Sequence, residues 1–474
     1  MYKLSYYTII SDSVDKENHR LAYSTRSGDM VLLNEVSYDF IHNNLIESIP
    51  LAVQAKLINK GILVPQEEDE LRTVIEENRA SGKDDHGQLS EVIQPSAMCQ
   101  LGCYYCGQQH IKKNISDNLI DKLVDRIYTK FTSGNYRSIY IGWFGAEPLM
   151  GLPQMRAIYD RLRGKISDLT IPIGGKIVTN GLSLKAGVFQ ELVDHLHIDS
   201  IEITLDGVAE YHDQHRFMKA GGPSFEIIYQ NIKKIIESDY FDRTKTKISI
   251  RCNVDEANVA GIEPLIRKIA ADQLHQSIAS LYFIGIYSWG GNEAHTKSLT
   301  KEHFSRLRLE WEILKVKLGY PYKVSARKSI LHSRKYNTCM ATGGEGEMYD
   351  AFGNVYNCTE VSYSDFYENK GYLLGNVERD TLKRFDSKPH NDWFDIVHNT
   401  DKYPCHGCRL LPICGGSCPK SWVEGIPACP PYKYNIVKEM ELKYLLQITP
   451  AEKLAEVLSG FEASFVAANF ERYN

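Results

Sequence analysis

Between about residue 89 and residue 290 the chain alternates, six times over, a short apolar segment with a longer amphipathic one. The short segments are EVIQPSA, SIYIGWFG, GKIVTNG, SIEITLDG, KISIRCNV and ASLYFIGIY. Between them lie NLIDKLVDRIYTKF, QMRAIYDRLRGKI, GVFQELVDHL, FEIIYQNIKKII and IEPLIRKIAAD, which carry helical spacing. Strands apolar on both faces belong inside a parallel sheet, and each parallel return needs a covering crossover. The fold class is therefore α/β, and the pattern alone leaves open whether the sheet closes.

With 474 residues the chain exceeds one compact core. Residues 1–65 read as strands (KLSYYTII, RLAYSTRS), a turn at Gly28-Asp29, two helices (EVSYDFIHNNLI, PLAVQAKLINKG) and a returning strand, ILVP. That order resembles a small winged helix. Residues 66–88 are densely charged and are expected to be a partly helical linker. The α/β segment, 89–320, ends in a helix over 300–319. Residues 321–432 are turn-rich and cysteine-rich, with too little apolar periodicity for a core, so metal is expected to stabilise them. Residues 433–474 read as a helical tail.

A net charge of −5 implies no general attraction to nucleic acid or anionic membrane. The longer helix of the winged unit has only two lysines and no basic stripe, which argues against DNA binding. No apolar run is long enough to span a bilayer, and the N-terminus lacks signal-peptide features. A cytoplasmic location is expected.

In a reducing compartment clustered cysteines point to metal ligands or catalytic thiols. Ten of the eleven cysteines fall in two groups, and only Cys252, inside a strand segment, stands apart as a small core residue. The first group is Cys99, Cys103 and Cys106, directly after the first strand, where the loops of a parallel α/β sheet carry active sites. A structural zinc site wants four ligands, and only His110 is near enough to be a fourth. A cubane iron–sulfur cluster on three thiolates leaves one iron free to bind something else. The second group runs Cys339, Gly353, Cys358, then Cys405-x2-Cys408-x5-Cys414-x3-Cys418 and Cys429. Zinc is the plainer reading of such paired spacings.

The first group, CQLGCYYC, resembles the signature of the radical S-adenosylmethionine (SAM) enzymes. That resemblance implies a partial (β/α)6 barrel and a [4Fe-4S] cluster whose free iron chelates SAM. An electron from the cluster cleaves SAM to a 5′-deoxyadenosyl radical, which abstracts hydrogen from substrate. WFGAEP resembles the family's SAM-binding GGEP motif, with Gly145, Glu147 and Pro148 matching and Ala146 departing. TLDG with HDQHR, and RCNV, are similar to later SAM-contacting segments and nominate Thr204, Arg251 and Asn253. The second cysteine group resembles a SPASM domain, which implies two auxiliary [4Fe-4S] clusters, three clusters in all. By that pattern Cys405, Cys408, Cys414 and Cys429 would ligate the outer cluster. Cys339, Cys358 and Cys418 would ligate the inner one, whose fourth position is open or filled by a group such as His332 or Glu345.

The architecture implies a maturase of a ribosomally made peptide, installing a carbon–carbon, thioether or ether cross-link, with the winged unit capturing a leader peptide and a flavodoxin or ferredoxin supplying electrons. Two alternatives stand beside it. One is an anaerobic sulfatase-maturing enzyme that makes formylglycine; its characteristic aspartate after the Gx4C cysteine is replaced here by Thr359, with Glu360 next. The other is a non-catalytic iron–sulfur or zinc scaffold. The sequence does not single out the residue that acts on substrate.

Overall fold

A computed structural model describes residues 1–81, 87–168, 170–321, 331–343, 346–379, 389–390, 392–399 and 402–467. The chain forms two compact units: residues 1–84, 301–343 and 390–474, and residues 85–300 and 344–389. This division cuts across the expected segments. The helix after residue 300 belongs with the N-terminal residues, and the cysteine-rich stretch is shared between the units.

In the first unit, strands β1 (Tyr2–Leu4), β2 (Thr8–Ser13), β3 (Arg20–Ser24), β4 (Met30–Leu33) and β5 (Leu63–Pro65) form two small sheets, with helices Glu35–His42 and Leu51–Asn59 between β4 and β5. β2, β3 and β4 are antiparallel neighbours, and β1 pairs with β5. Two expectations shift here. KLSYYTII is two strands in different sheets rather than one, and β4, only four residues long, was too short to stand out. Asn34 caps the first helix by accepting the Ser37 N–H at 2.9 Å.

The expected linker contains a packed helix, Glu70–Ser81. Its carboxylate at Glu70 accepts the Tyr6 N–H at 2.8 Å, and Arg334 donates to Asn78 Oδ1 at 2.6 Å. Val74 is wholly buried with Tyr7, Trp393, Val397 and Leu411. The charge density of the segment concealed a sparse inward stripe at Glu70, Val74 and Asn78, whose spacing of four keeps one helical face buried. β2 and β3 likewise pack Ile9, Leu21 and Tyr23 against Ile413, Ile436 and Met440. Helices Lys301–Lys317, Ile436–Ile448 and Leu454–Ala467 share a further core through Leu309, Ile313, Leu442, Leu446 and Leu458.

The second unit is built on six parallel strands in chain order: β6 (Gln88–Ile93), β7 (Ser138–Trp143), β8 (Ile173–Thr179), β9 (Ile198–Thr204), β10 (Lys247–Val254) and β11 (Ser280–Gly285). This is the parallel α/β arrangement that the six repeats implied, in the order expected of the partial barrel that the resemblance implied. The first crossover shows why the pattern was readable. Helix Asp117–Ser133 starts at a Ser116 cap and buries Leu119, Ile120, Leu123, Val124, Ile127 and Phe131. The first strand ends earlier than expected, at Ile93, because Pro95 has no N–H for the ladder.

Residues 346–379 extend the same sheet. β12 (Met348–Tyr349) runs parallel to β6, and β13 (Asn354–Tyr356) and β14 (Leu373–Asn376) follow antiparallel. Part of the cysteine-rich stretch is thus held by backbone pairing. A buried charge cluster ties it down as well: Arg126 donates to both carboxylate oxygens of Glu347 at 2.8 Å, and Lys130 Nζ lies 2.5 Å from Glu91.

Candidate functional site

The carboxyl ends of the parallel strands face a cavity of about 200 Å³. It is lined by Cys99, Cys103 and Cys106 from the loop after β6, by Gly145 and Ala146 after β7, and by Thr179 and Asn180 at the end of β8. Thr204, Arg251 and Asn253 from β9 and β10 also face it. Sequence-nominated residues from four separate segments therefore meet at one place. Glu147 and Pro148 do not line it. Glu147 is fully buried behind the wall, where its carboxylate accepts the Thr179 hydroxyl and the Asn180 N–H at 2.7 Å each and the Leu149 N–H at 3.0 Å. Burial raises its pKa, partly offset by those donors. Pro148 opens the short helix Pro148–Gly151.

Gly145 and Ala146 both adopt left-handed backbone, with φ of +83° and +43°. At Gly145 a Cβ would come within 2.0 Å of the Gln94 amide. At Ala146, where the resemblance expects glycine, the methyl carries the strain of that conformation. Ala146 N donates to Gln108 Oε1 at 2.8 Å, which holds the turn.

The cysteine loop is clamped from a segment within the fourth crossover, between β9 and β10. Leu101 and Met218 form an antiparallel bridge, Gly102 N donates to Phe217 O at 3.0 Å, and Lys219 N donates to Gln100 O at 2.9 Å. Tyr105, between the second and third cysteines, sits at a buried polar node. Its hydroxyl donates to Asp206 at 2.5 Å and accepts from Arg216 at 2.7 Å and Asn253 at 3.1 Å. Burial pushes Asp206 upward, but His215, Arg216 and Tyr105 bring it below the usual carboxylate range. Arg216, buried, lines the cavity and opposes the rise in the Cys103 pKa. Tyr105, Asp206, Arg216 and Asn180 were not singled out from the sequence. The one available signal for Arg216 was its place at the end of HDQHR.

Burial pushes the Cys99 and Cys103 thiols up to about 11 and raises Cys106 as well. These are costly thiolates until a soft cation ionises them. Among the described residues no three His, Cys, Asp or Glu side chains converge closely enough for one metal ion. A zinc site, with bonds of about 2.3 Å to sulfur, draws its donors much nearer together than a multi-iron cluster does. Cys99, Cys103 and Cys106 are the soft donors that would hold a cluster here, and Gly145, Ala146, Thr204, Arg251 and Asn253 are the residues that would line a SAM site beside it.

The family model of the radical SAM superfamily matches residues 93–260. The chain carries a radical SAM domain. Curated relatives include a cysteine-type anaerobic sulfatase-maturating enzyme of Clostridium novyi, 23% identical over 72% of this chain and 90% of the relative. A serine-type enzyme of Bacteroides thetaiotaomicron is 21% identical over 70% and 83%. Among solved structures, native anSMEcpe with bound AdoMet and Cp18Cys peptide matches with a TM-score of 0.55, at 18% identity, over 79% of this chain and 99% of that one. The likeness to that structure is one of fold. No helix among the described residues is long and apolar enough to cross a membrane.

Outside the radical SAM domain, the first unit gathers Cys405, Cys408, Cys414 and Cys429 around a second, smaller cavity of about 30 Å³, beside Trp422 and Lys433. Burial and the neighbouring thiols push Cys405 up to about 12; burial and Cys408 do the same to Cys414. Lys301 donates to the Cys429 carbonyl at 2.9 Å, and Lys433 Nζ lies 3.9 Å from the Cys429 sulfur. Cys339 and Cys418 belong to this unit, whereas Cys358 belongs to the other unit, near Tyr367 and Tyr372. His332 lies against Tyr432 with ring centres 3.8 Å apart and the planes tilted by 31°, and its Nε2 lies 3.8 Å from Glu439. Glu345 lies outside the described residues. Cys252 is buried in the core of β10.

Proposed function

We propose that this protein is a radical SAM/SPASM maturase that modifies a ribosomally synthesised peptide by SAM-dependent hydrogen abstraction and installs a cross-link. The observation that carries the proposal is the single cavity in which the three-cysteine loop, the Gly145–Ala146 turn and Arg251 meet. A bound and reduced cluster supplies the electron for reductive cleavage of SAM. The chain's own residues do the rest. Cys99, Cys103 and Cys106 anchor the cluster. Gly145 keeps side-chain bulk out of the turn, and Thr204, Arg251 and Asn253 orient SAM. Glu147 keeps Thr179 and Asn180 in place from behind.

The four cysteines around the second cavity support an auxiliary cluster, and Cys339, Cys358 and Cys418 are proposed as ligands of another. A flavodoxin or ferredoxin is the proposed electron donor. Residues 1–65 are proposed to capture a leader peptide by strand addition, which draws affinity from backbone hydrogen bonds and specificity from side-chain pockets.

The sulfatase-maturase reading has support of its own, since both curated relatives named above carry that description and Glu360 is the one carboxylate among the residues lining the cavity. Thr359 in place of the characteristic aspartate weighs against it. Anaerobic reaction with SAM, a reductant and candidate peptides, followed by mass spectrometry, separates the two. Loss of two hydrogens without reaction with a hydrazine probe supports the cross-link. A hydrazine-reactive aldehyde supports formylglycine, and no 5′-deoxyadenosine with any reductant leaves a non-catalytic scaffold.

A further inference from the structure

His110 was the nearest candidate for a fourth ligand beside the three cysteines. Its geometry gives it a different role. Its Nδ1 lies 2.6 Å from Lys219 Nζ, and its Nε2 lies 3.9 Å from the Cys106 sulfur. A lysine ammonium has three donors and no acceptor. Nδ1 must therefore be the accepting nitrogen, which leaves the ring proton on Nε2, the nitrogen facing sulfur. A nitrogen that carries a proton has no lone pair for iron. Lys219 is exposed, but its backbone is anchored beside the cysteine loop: its N–H donates to Gln100 O at 2.9 Å, next to the Leu101–Met218 bridge.

We propose that His110 donates a hydrogen bond to the Cys106 sulfur, fixed in that tautomer by Lys219, and so tunes the cluster of the three-cysteine loop without ligating it. This rests on the reading that Cys99, Cys103 and Cys106 hold an iron–sulfur cluster. A donor to a ligating sulfur stabilises the more negative, reduced state of the cluster and raises its potential. The hydrogen bond also holds the imidazole back from iron, which keeps one coordination position available.

The test uses full-length, anaerobically reconstituted protein and follows the reduced-cluster paramagnetic signal that changes on adding SAM. His110→Ala is expected to keep the wild-type iron content and to move the midpoint of that signal to a more negative potential. His110→Gln, which retains an N–H donor, should restore part of the shift. Lys219→Met should move the midpoint in the same direction, and Lys219→Arg should leave it near the wild-type value. Should His110→Ala fold poorly, the Lys219 pair carries the test. A loss of iron from this cluster in His110→Ala, or strong nitrogen coupling from a ligating imidazole in the wild type, would overturn the proposal. So would unchanged midpoints in all the variants. A protein that forms no SAM-responsive cluster at all refutes the underlying reading instead.

Discussion

Glu147 accepts the backbone N–H of Asn180 at 2.7 Å, from a position with no solvent exposure. The carboxylate lies in the motif after β7 and its partner at the end of β8, so one buried acid joins the tips of two neighbouring strands. Replacing Glu147 with Gln puts an NH2 group among N–H and O–H donors. The expected cost is about 2–3 kcal/mol, together with weaker SAM binding, because Thr179 and Asn180 line the cavity. Thermal unfolding and equilibrium dialysis with SAM measure the two effects. A variant with wild-type values in both would show the brace to be dispensable.

Gly145→Ala is expected to be more damaging than its size suggests. The backbone is left-handed there, and the new methyl meets the Gln94 amide. A loss of about 2–4 kcal/mol is expected. Ala146→Gly should do the opposite, gaining up to about 1 kcal/mol by releasing strain. Urea unfolding of the two variants should bracket the wild type.

The two cysteine cavities should separate by function. Alanine at Cys99, Cys103 and Cys106 should abolish 5′-deoxyadenosine formation. Alanine at Cys405, Cys408, Cys414 and Cys429 should lower the iron content while leaving uncoupled SAM cleavage measurable. Loss of cleavage in the second variant, with its fold intact by circular dichroism, would mean that the sites are not independent.

Glu439 gives the first unit a pH dependence. Burial pushes its carboxyl up to about 7, against the opposing pull of Arg308, and one of its oxygens has no hydrogen-bond partner. A folded-state value above the unfolded one of about 4.3 means that the native state holds the extra proton. Its stabilising share is complete below about pH 4 and is lost as the pH rises through 7. The unfolding midpoint should therefore fall across that window, and Glu439→Gln should flatten the fall. A slope unchanged by the substitution would assign the effect to other groups.

Leader capture by residues 1–65 is not tested by truncation, because Ile9, Leu21 and Tyr23 lie in a core shared with Ile413, Ile436 and Met440 and deletion would expose it. A point change serves better. Leu32 is half-exposed on β4, an outer strand of its three-stranded sheet. Leu32→Asp should weaken binding of a leader-bearing peptide while shifting stability by less than about 0.5 kcal/mol. Unaltered peptide affinity would argue against strand addition at this edge.

The barrel strands and the cysteine sets were legible because both are local patterns: β-branched runs of strand length, and thiols at short spacing. Arg216, Asn180 and Lys219 were not. Nothing in their immediate neighbours says that the chain after Asp206 folds back over residues 100–102, and only that return brings a buried cation and a lysine to the cysteine loop. The packing of the helix Glu70–Ser81 was hidden for the converse reason. Its outward charges are conspicuous, while the buried face depends on a few positions such as Val74 and Asn78. Glu147 was nominated through its motif as a SAM-contacting residue, yet its neighbours alone could not reveal that it sits behind the cavity wall.

The bridge between Leu101 and Met218 also sets an order of events during synthesis. The three thiols leave the ribosome well before the segment around Met218 that pins their loop. At roughly 5–20 residues per second, the interval is on the order of ten seconds. Through that time the cysteines are on an untethered segment, open to oxidants and to stray metal. If the three cysteines hold the proposed cluster, its loading belongs after translation has passed Lys219, when the loop is pinned.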